Sequence, residues 1–214
     1  MPDTEASAIS KTFENIRSTL QAGADWVQIR EKDLPARELL GLARQAVKTA
    51  AETGARTGNS ARVIINDRLD VALAAGAYGV HLGRESLAAR DLVQWCRRGN
   101  APAEFTIGVS CHRLEEAREA ESAGADYVFF GPIFQTPSKE KFGAPQGIER
   151  LTEVCRALQA KVIAIGGVNE ENAASCIRAG ADGIAAIRLF QDSHKAGEVR
   201  NLVASIHALG TEKI

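Results

Sequence analysis

The sequence predicts an α/β fold: a TIM-type (β/α)8-like barrel whose first strand is missing or atypical. Three observations predict it. Ala-Gly-Ala occurs four times, beginning at Ala22, Ala75, Ala123 and Ala179, and the copies lie about 50 residues apart, the size of a double βα unit. Each copy leads into an apolar run that ends in polar residues. Three further apolar runs fall between these four, and helical periodicity separates all seven.

Each element has a local cause. In every Ala-Gly-Ala the glycine sits where a helix should stop, because only Gly reaches the left-handed cap conformation without a Cβ penalty. The strands that follow are Trp26–Arg30, Gly79–Gly83, Tyr127–Gly131 and Gly183–Ile187. The intervening strands are Val63–Ile65, Phe105–Val109 and Val162–Ile165. Their short, nearly continuous apolar character suits parallel strands buried on both faces. Apolar spacings of three and four mark the helices: Phe13-Ile16-Leu20, Leu39-Leu42-Ala43-Ala46, Leu69-Leu73 and Ala89-Leu92-Cys96. They continue with Leu114-Ala117-Ala120, Leu151-Val154-Leu158, Ala173-Cys176-Ile177 and Val199-Leu202-Val203-Ile206. A closed barrel needs an eighth strand, yet residues 1–12 are polar and lack a β-branched run. Either that strand is absent or the N-terminal segment substitutes for it, and its absence leaves two open sheet edges.

Size and composition narrow the function. With 214 residues, 45% hydrophobic and 25% charged, the chain is expected to form a single domain over residues 1–214. A net charge of −1 argues against a nucleic-acid binder working by bulk electrostatics and leaves room for small anions held by a few local cations. Cys96, Cys111, Cys155 and Cys176 form no C-x-x-C pair and read as small core residues in a reducing cytoplasm. No apolar run approaches ~18 residues, so no membrane partner is expected. Homo-oligomer formation is left open.

The chemistry-bearing residues cluster after strands, where barrels place their active sites. Strand alternation puts Gln28, Arg30 and Lys32 on one side, a set suited to phosphate or pyrophosphate; a rim salt bridge to Glu31 and Asp33 is the alternative. Asn66-Asp67-Arg68 follows Val63–Ile65, where an Asn-Asp pair can hold Mg2+ and a neighbouring anion or cap the next helix. His81 is a lone strand-end histidine, a common structural hydrogen-bonder. Ser110 ends its strand and Cys111-His112 follow, but no acidic partner completes a triad order. The long segment Gly131–Gly147 reads as a binding loop or lid carrying Thr136, Ser138 and Lys139, or else as a surface insertion. Gly166-Gly167 and Ile187-Arg188 end the last two strands, the usual phosphate position of such barrels; adjacent glycines admit an anion to backbone N–H groups, and the following helix adds its positive end.

Taken as an ordered set, these segments resemble the thiamine-phosphate synthase and thiazole tautomerase family. The set is Gln28-x-Arg30-x-Lys32, Asn66-Asp67, Gly79-Val80-His81-Leu82-Gly83, Gly108-Val109-Ser110, Gly131-Pro132-Ile133-Phe134-x-Thr136-x-Ser138-Lys139 and Ala164-Ile165-Gly166-Gly167. The resemblance implies a TIM-like barrel that joins hydroxymethylpyrimidine pyrophosphate to thiazole phosphate, releasing pyrophosphate. It implies pyrimidine pyrophosphate binding by Gln28, Arg30, Lys32, Asn66, Ser110 and Lys139, and a Mg2+ ligand in Asp67. Thr136, Ser138, Gly167 and the backbone of Ile187 and Arg188 would hold the thiazole phosphate. No side chain is expected to act as nucleophile or general base, because the thiazole nitrogen attacks directly.

Three departures stand out. The family's second metal-ligating Asp falls on Ser86, leaving Mg2+ to Asp67 with waters or to Glu85. Arg188 stands where Ser is usual. The family's first strand is not visible. A tautomerase is the first alternative, although its catalytic His would fall on Pro132; a non-catalytic phosphate-ligand-binding barrel is the second.

Overall fold

A computed structural model describes residues 2–58, 61–136, 144–191 and 196–211. The elements alternate along the chain. They run α1 (Pro2–Gln21), β1 (Trp26–Ile29), α2 (Ala36–Thr57), β2 (Arg62–Asn66), α3 (Leu69–Ala75), β3 (Gly79–Leu82), α4 (Ala89–Trp95) and β4 (Thr106–Cys111). They continue α5 (Leu114–Ser122), β5 (Tyr127–Phe130), α6 (Gly147–Ala157), β6 (Lys161–Ile165), α7 (Ala173–Arg178), β7 (Gly183–Ala185), α8 (Arg188–Gln191) and α9 (Ala196–Thr211). Strand order follows chain order, β1-β2-β3-β4-β5-β6-β7, the α/β plan of the TIM type.

All seven expected strands form, and the four Ala-Gly-Ala copies explain their spacing. Gly23, Gly76, Gly124 and Gly180 all have positive φ, at 96°, 67°, 91° and 112°. Each donates to the carbonyl three residues back, and the next alanine donates five residues back, as Ala24 does to Thr19 and Ala125 to Ala120. This is the Schellman closure, which satisfies helix-end carbonyls before the chain turns into a strand.

Aspartates after two of these caps fix where a strand begins. Asp126 N–H donates to the Ile107 carbonyl at 2.8 Å, and Ile107 N–H donates back to Asp126 Oδ2 at 2.8 Å. Asp182 and Val162 make the same reciprocal pair, at 2.8 and 2.9 Å. Arg97 braces Asp126 with bonds of 2.8 and 2.9 Å to its two carboxylate oxygens.

Contacts gather the chain into two compact units, one running through His81 with Phe190–Val203, the other comprising Leu82–Leu189 with the residues from Ala204. In the first, β1, β2 and β3 are parallel, with Val27 opposite Val63 and Ile65 opposite Val80. Its core includes Leu20, Leu42, Ile64, Ile65 and Val80, all nearly inaccessible. In the second, β4 to β7 are parallel, with Gly108 opposite Tyr127, Phe129 opposite Ile163 and Ile165 opposite Ala185. Ile107, Tyr127, Phe130, Leu151 and Val162 fill that core.

Several expectations change. Residues 2–21 are helical, so they supply no substitute strand, and seven strands are present among the described residues. Burial on both faces holds for β3, whereas β1 alternates and β7 is half-buried throughout. β4 extends to Cys111 because it pairs with Phe130, two residues beyond the expected end. The four-residue α8 is too short to carry an apolar period and is not among the helices expected from the sequence.

Candidate active site

In the first unit the strand ends bring together Gln28, Asn66 and Asp67. Gln28 Nε2 donates to Asn66 Oδ1 at 3.1 Å, and Asn66 Nδ2 donates to Asp67 Oδ2 at 3.1 Å. This places an aligned amide–amide–carboxylate chain across the ends of β1 and β2. Among the described residues Gln28 Oε1 is buried without a hydrogen-bond partner, an uncommon condition for a buried acceptor.

Asp67 has φ 63°, the one non-glycine residue with positive φ among those described. Its N–H donates to the His81 carbonyl at 2.9 Å, and Arg68 N–H reaches back to the Asn66 carbonyl at 2.7 Å. Asp67 is thus the centre of a γ-turn, a strained conformation for a side-chain-bearing residue. Arg68 occupies the N-cap position of α3 and its side chain makes no cap hydrogen bond, while the Asp70 carboxylate meets the backbone at Val71 in the first turn, so Asp70 serves that turn as expected. Asp70 is held by Arg68 at 2.6 and 2.9 Å, and that hydrogen bond lowers the Asp70 pKa.

β1 pairing ends at Ile29 opposite Ile65. Arg30 and Lys32 therefore lie in the following loop, and strand alternation with Gln28 does not orient them. Both are exposed, and among the described residues neither is ion-paired, so the expected alternative of a salt bridge to Glu31 and Asp33 does not form. His81 is 1% exposed. Burial pushes its pKa down to about 3, with Asp67 opposing that shift and Arg30 adding to it. It is a neutral core imidazole at the edge of this cluster.

In the second unit, Ser110 is half-buried inside β4, opposite Phe129, not beyond the strand's end. Cys111 is buried, and desolvation pushes its thiol up to about 12. His112 Nδ1 donates to the Gly131 carbonyl, tying β4 to the loop after β5. That loop is anchored to β6: Ile133 N–H donates to the Ile165 carbonyl at 3.0 Å and Phe134 N–H to the Gly166 carbonyl at 2.9 Å. These bonds hold residues 131–134, so this part is not a loose insertion. Thr136 is half-buried at its end, and Ser138 and Lys139 lie outside the described residues.

Gly166 and Gly167 have φ 95° and 68°. A Cβ on Gly166 would stand 2.6 Å from Pro132 Cα, and one on Gly167 would stand 2.7 Å from the Phe134 and Gln135 carbonyl oxygens. Close approach and backbone conformation both require glycine here. α7 has six residues and begins at Ala173, so the N–H groups at Gly167 belong to the turn and the expected helix-end contribution drops out. Asn172, which sequence periodicity did not flag, donates from Nδ2 to the Gly167 carbonyl at 3.0 Å. An Asn five residues after the Gly-Gly pair is the available signal.

β7 ends at Ala185, so Ile187 and Arg188 lie beyond it; Ile187 is 59% exposed and Arg188 opens α8. Ser86 Oγ accepts the Gly83 N–H at 2.6 Å and serves a turn. Glu85 is exposed. Among the described residues no three His, Cys, Asp or Glu side chains gather as a metal cluster, and no helix is long and apolar enough to cross a membrane.

Parallel strands in chain order, with polar groups at and after their C-terminal ends, place the chain in the (β/α) barrel class. The family model described as thiamine monophosphate synthase matches residues 3–190. The chain belongs to that family. It is 44% identical over 176 residues to the thiamine-phosphate synthase of Moorella thermoacetica, covering 82% of this chain and 79% of that one. It is 40% identical over 185 residues to the thiamine-phosphate synthase of Roseiflexus sp., covering 86% and 74%. Among solved structures it resembles a thiamine phosphate pyrophosphorylase from Pyrococcus furiosus, with TM-score 0.79, 31% identity and coverage of 92% and 90%.

Proposed function

We propose that this chain is a pyrophosphate-releasing transferase that makes thiamine phosphate. It joins hydroxymethylpyrimidine pyrophosphate to thiazole phosphate. The observation that carries this reading is the Gln28–Asn66–Asp67 chain at the ends of β1 and β2, with the exposed cations Arg30 and Lys32 in the loop that follows β1. The partnerless Gln28 Oε1 suits the amino group of an aminopyrimidine. Arg30, Lys32, Asn66, Ser110 and Lys139 would take the pyrophosphate. Thr136, Ser138, Gly167 and the backbone of Ile187 and Arg188 would take the thiazole phosphate.

The chemistry asks little covalent work of the protein. The methylene C–O bond breaks with its electron pair leaving on pyrophosphate, and the aminopyrimidine delocalises the resulting cation. The thiazole nitrogen then supplies the new bond, and the positive charge ends on the thiazolium. No proton moves, so the protein's task is orientation and stabilisation of the leaving charge. Arg30 and Lys32 offer that charge directly.

The donor set fits Mg2+ that is shared with a substrate. Mg2+ is commonly bound through one or two carboxylates plus substrate phosphates and water. Asp67 supplies one carboxylate, aligned by Asn66. The Ser86 hydroxyl is already an acceptor for Gly83, which leaves Glu85 as the nearest carboxylate in sequence. When bound, Mg2+ would offset charge on the pyrophosphate. The reading places the protein in the cytoplasm, with small phosphorylated substrates as its partners.

The test is direct. Purified protein with both substrates and Mg2+ is expected to release pyrophosphate and form thiamine phosphate, and EDTA is expected to stop it. No product from the complete mixture overturns the assignment; EDTA-resistant turnover removes Asp67 from the metal role.

A further inference from the structure

Two successive peptide planes after β6 are pinned by their carbonyls. The Gly166 carbonyl accepts the Phe134 N–H at 2.9 Å, and the Gly167 carbonyl accepts Asn172 Nδ2 at 3.0 Å. A trans peptide is planar, with its N–H opposed to its C=O. Holding the two carbonyls therefore sets the directions of the Gly167 and Val168 N–H groups, away from Phe134 and away from Asn172. Among the described residues neither N–H has a hydrogen-bond partner. Val168 is 8% exposed as a residue. Adjacent N–H groups in such a turn form an anion-binding concavity.

The two pins differ in kind. Phe134 uses its main-chain N–H, so no side-chain truncation removes that bond. The Gly167 pin depends on one side chain, and that side chain is itself immobilised. Asn172 Oδ1 accepts the Asn169 N–H at 2.9 Å, while Asn169 Oδ1 accepts the Glu171 and Asn172 N–H groups at 3.0 and 3.1 Å. Both polar atoms of the Asn172 amide are thus committed.

We infer that Asn172 is a positioning residue for the phosphate of the thiazole substrate: its hold on the Gly167 carbonyl aims the Val168 N–H at the anion. The inference rests on the thiazole-phosphate assignment of Gly167 above. Asn172 touches no reacting atom. It acts through one peptide plane, so its effect falls on the phosphate and spares the thiazole ring.

That separation supplies the test. Asn172→Ser keeps an oxygen for the Asn169 N–H, adds no charge, and lacks the amide donor for Gly167. Binding of thiazole phosphate and of the unphosphorylated hydroxyethylthiazole is measured by amide shift titration of 15N-labelled protein, with no pyrimidine present. The variant is expected to bind thiazole phosphate about tenfold more weakly, the scale of one lost hydrogen bond, and to bind the alcohol as the parent does. Equal weakening for both ligands, or parental affinity for thiazole phosphate, overturns the inference. In the parent protein the Val168 amide is expected to shift with thiazole phosphate and not with the alcohol; an unmoved Val168 amide overturns it even if the variant does not fold. A parent that binds thiazole phosphate in this way but makes no thiamine phosphate overturns the proposed reaction and leaves this inference standing.

Discussion

Gln28 Nε2 and Asn66 Oδ1 meet at 3.1 Å, linking the ends of two neighbouring strands through side chains. Because Asn66 in turn donates to Asp67, removing Asn66 frees both of its neighbours. Asn66→Ala is expected to lower kcat/KM by about 100-fold, corresponding to roughly 3 kcal/mol of lost orientation and charge stabilisation. Gln28→Ala added to it is expected to cost far less than in the parent, since coupled groups are non-additive. Steady-state kinetics of the two single variants and the double variant check this; simple additivity refutes the relay.

Asp67 keeps its carboxylate at the cost of an unfavourable backbone, φ 63°. Asp67→Gly removes the Cβ penalty and the carboxylate together. Its stability is expected to match the parent or exceed it by up to about 1 kcal/mol, while activity falls at least tenfold. Urea unfolding beside an activity assay measures both. A variant destabilised by several kcal/mol would show that the turn is not strained.

His81 makes stability depend on pH. Its folded pKa is depressed to about 3 from the ordinary 6.5, so the unfolded chain binds more protons between those values. Its contribution is complete above pH 6.5 and is lost as pH falls towards 3. Between pH 7 and pH 5 the expected loss is about 2 kcal/mol. Unfolding free energies from urea titration at both pH values check this: between pH 7 and pH 5 the parent should lose that much more stability than His81→Gln. An imidazole ring resonance that titrates near 6.5 in the folded protein would contradict the assignment.

Gly108 makes room for a buried ring. A Cβ there would stand 2.0 to 2.4 Å from three atoms of Tyr127, its partner across the sheet, and Tyr127 has no exposed surface. Gly108→Ala is expected to destabilise the protein by about 3 kcal/mol through overpacking. The double variant Gly108→Ala, Tyr127→Leu should recover part of the loss. Thermal unfolding of both decides it.

Much of the fold was legible because its punctuation is chemical. A glycine that must take positive φ stops a helix, and an apolar run must then be a strand, so all seven strands were placed. Their ends were harder. Alternation carried Arg30 and Lys32 into β1, although backbone pairing stops at Ile29, and β4 runs to Cys111 because Phe130 pairs with it. Pairing partners are remote in sequence and leave no local mark. The candidate site was legible as residue types after strands. Its internal wiring was not: whether Asn66 caps a helix or aligns a carboxylate, and which carbonyl Asn172 holds, depends on contacts without periodicity.

Asp126 and Asp182 grip Ile107 and Val162 at the starts of β4 and β6, far along each strand from the polar tips. A shift by one residue would forfeit both bonds of such a clasp and turn every inward side chain outward. In the second unit, alignment is thus set where β4 and β6 begin, before the chain reaches the polar residues that follow them.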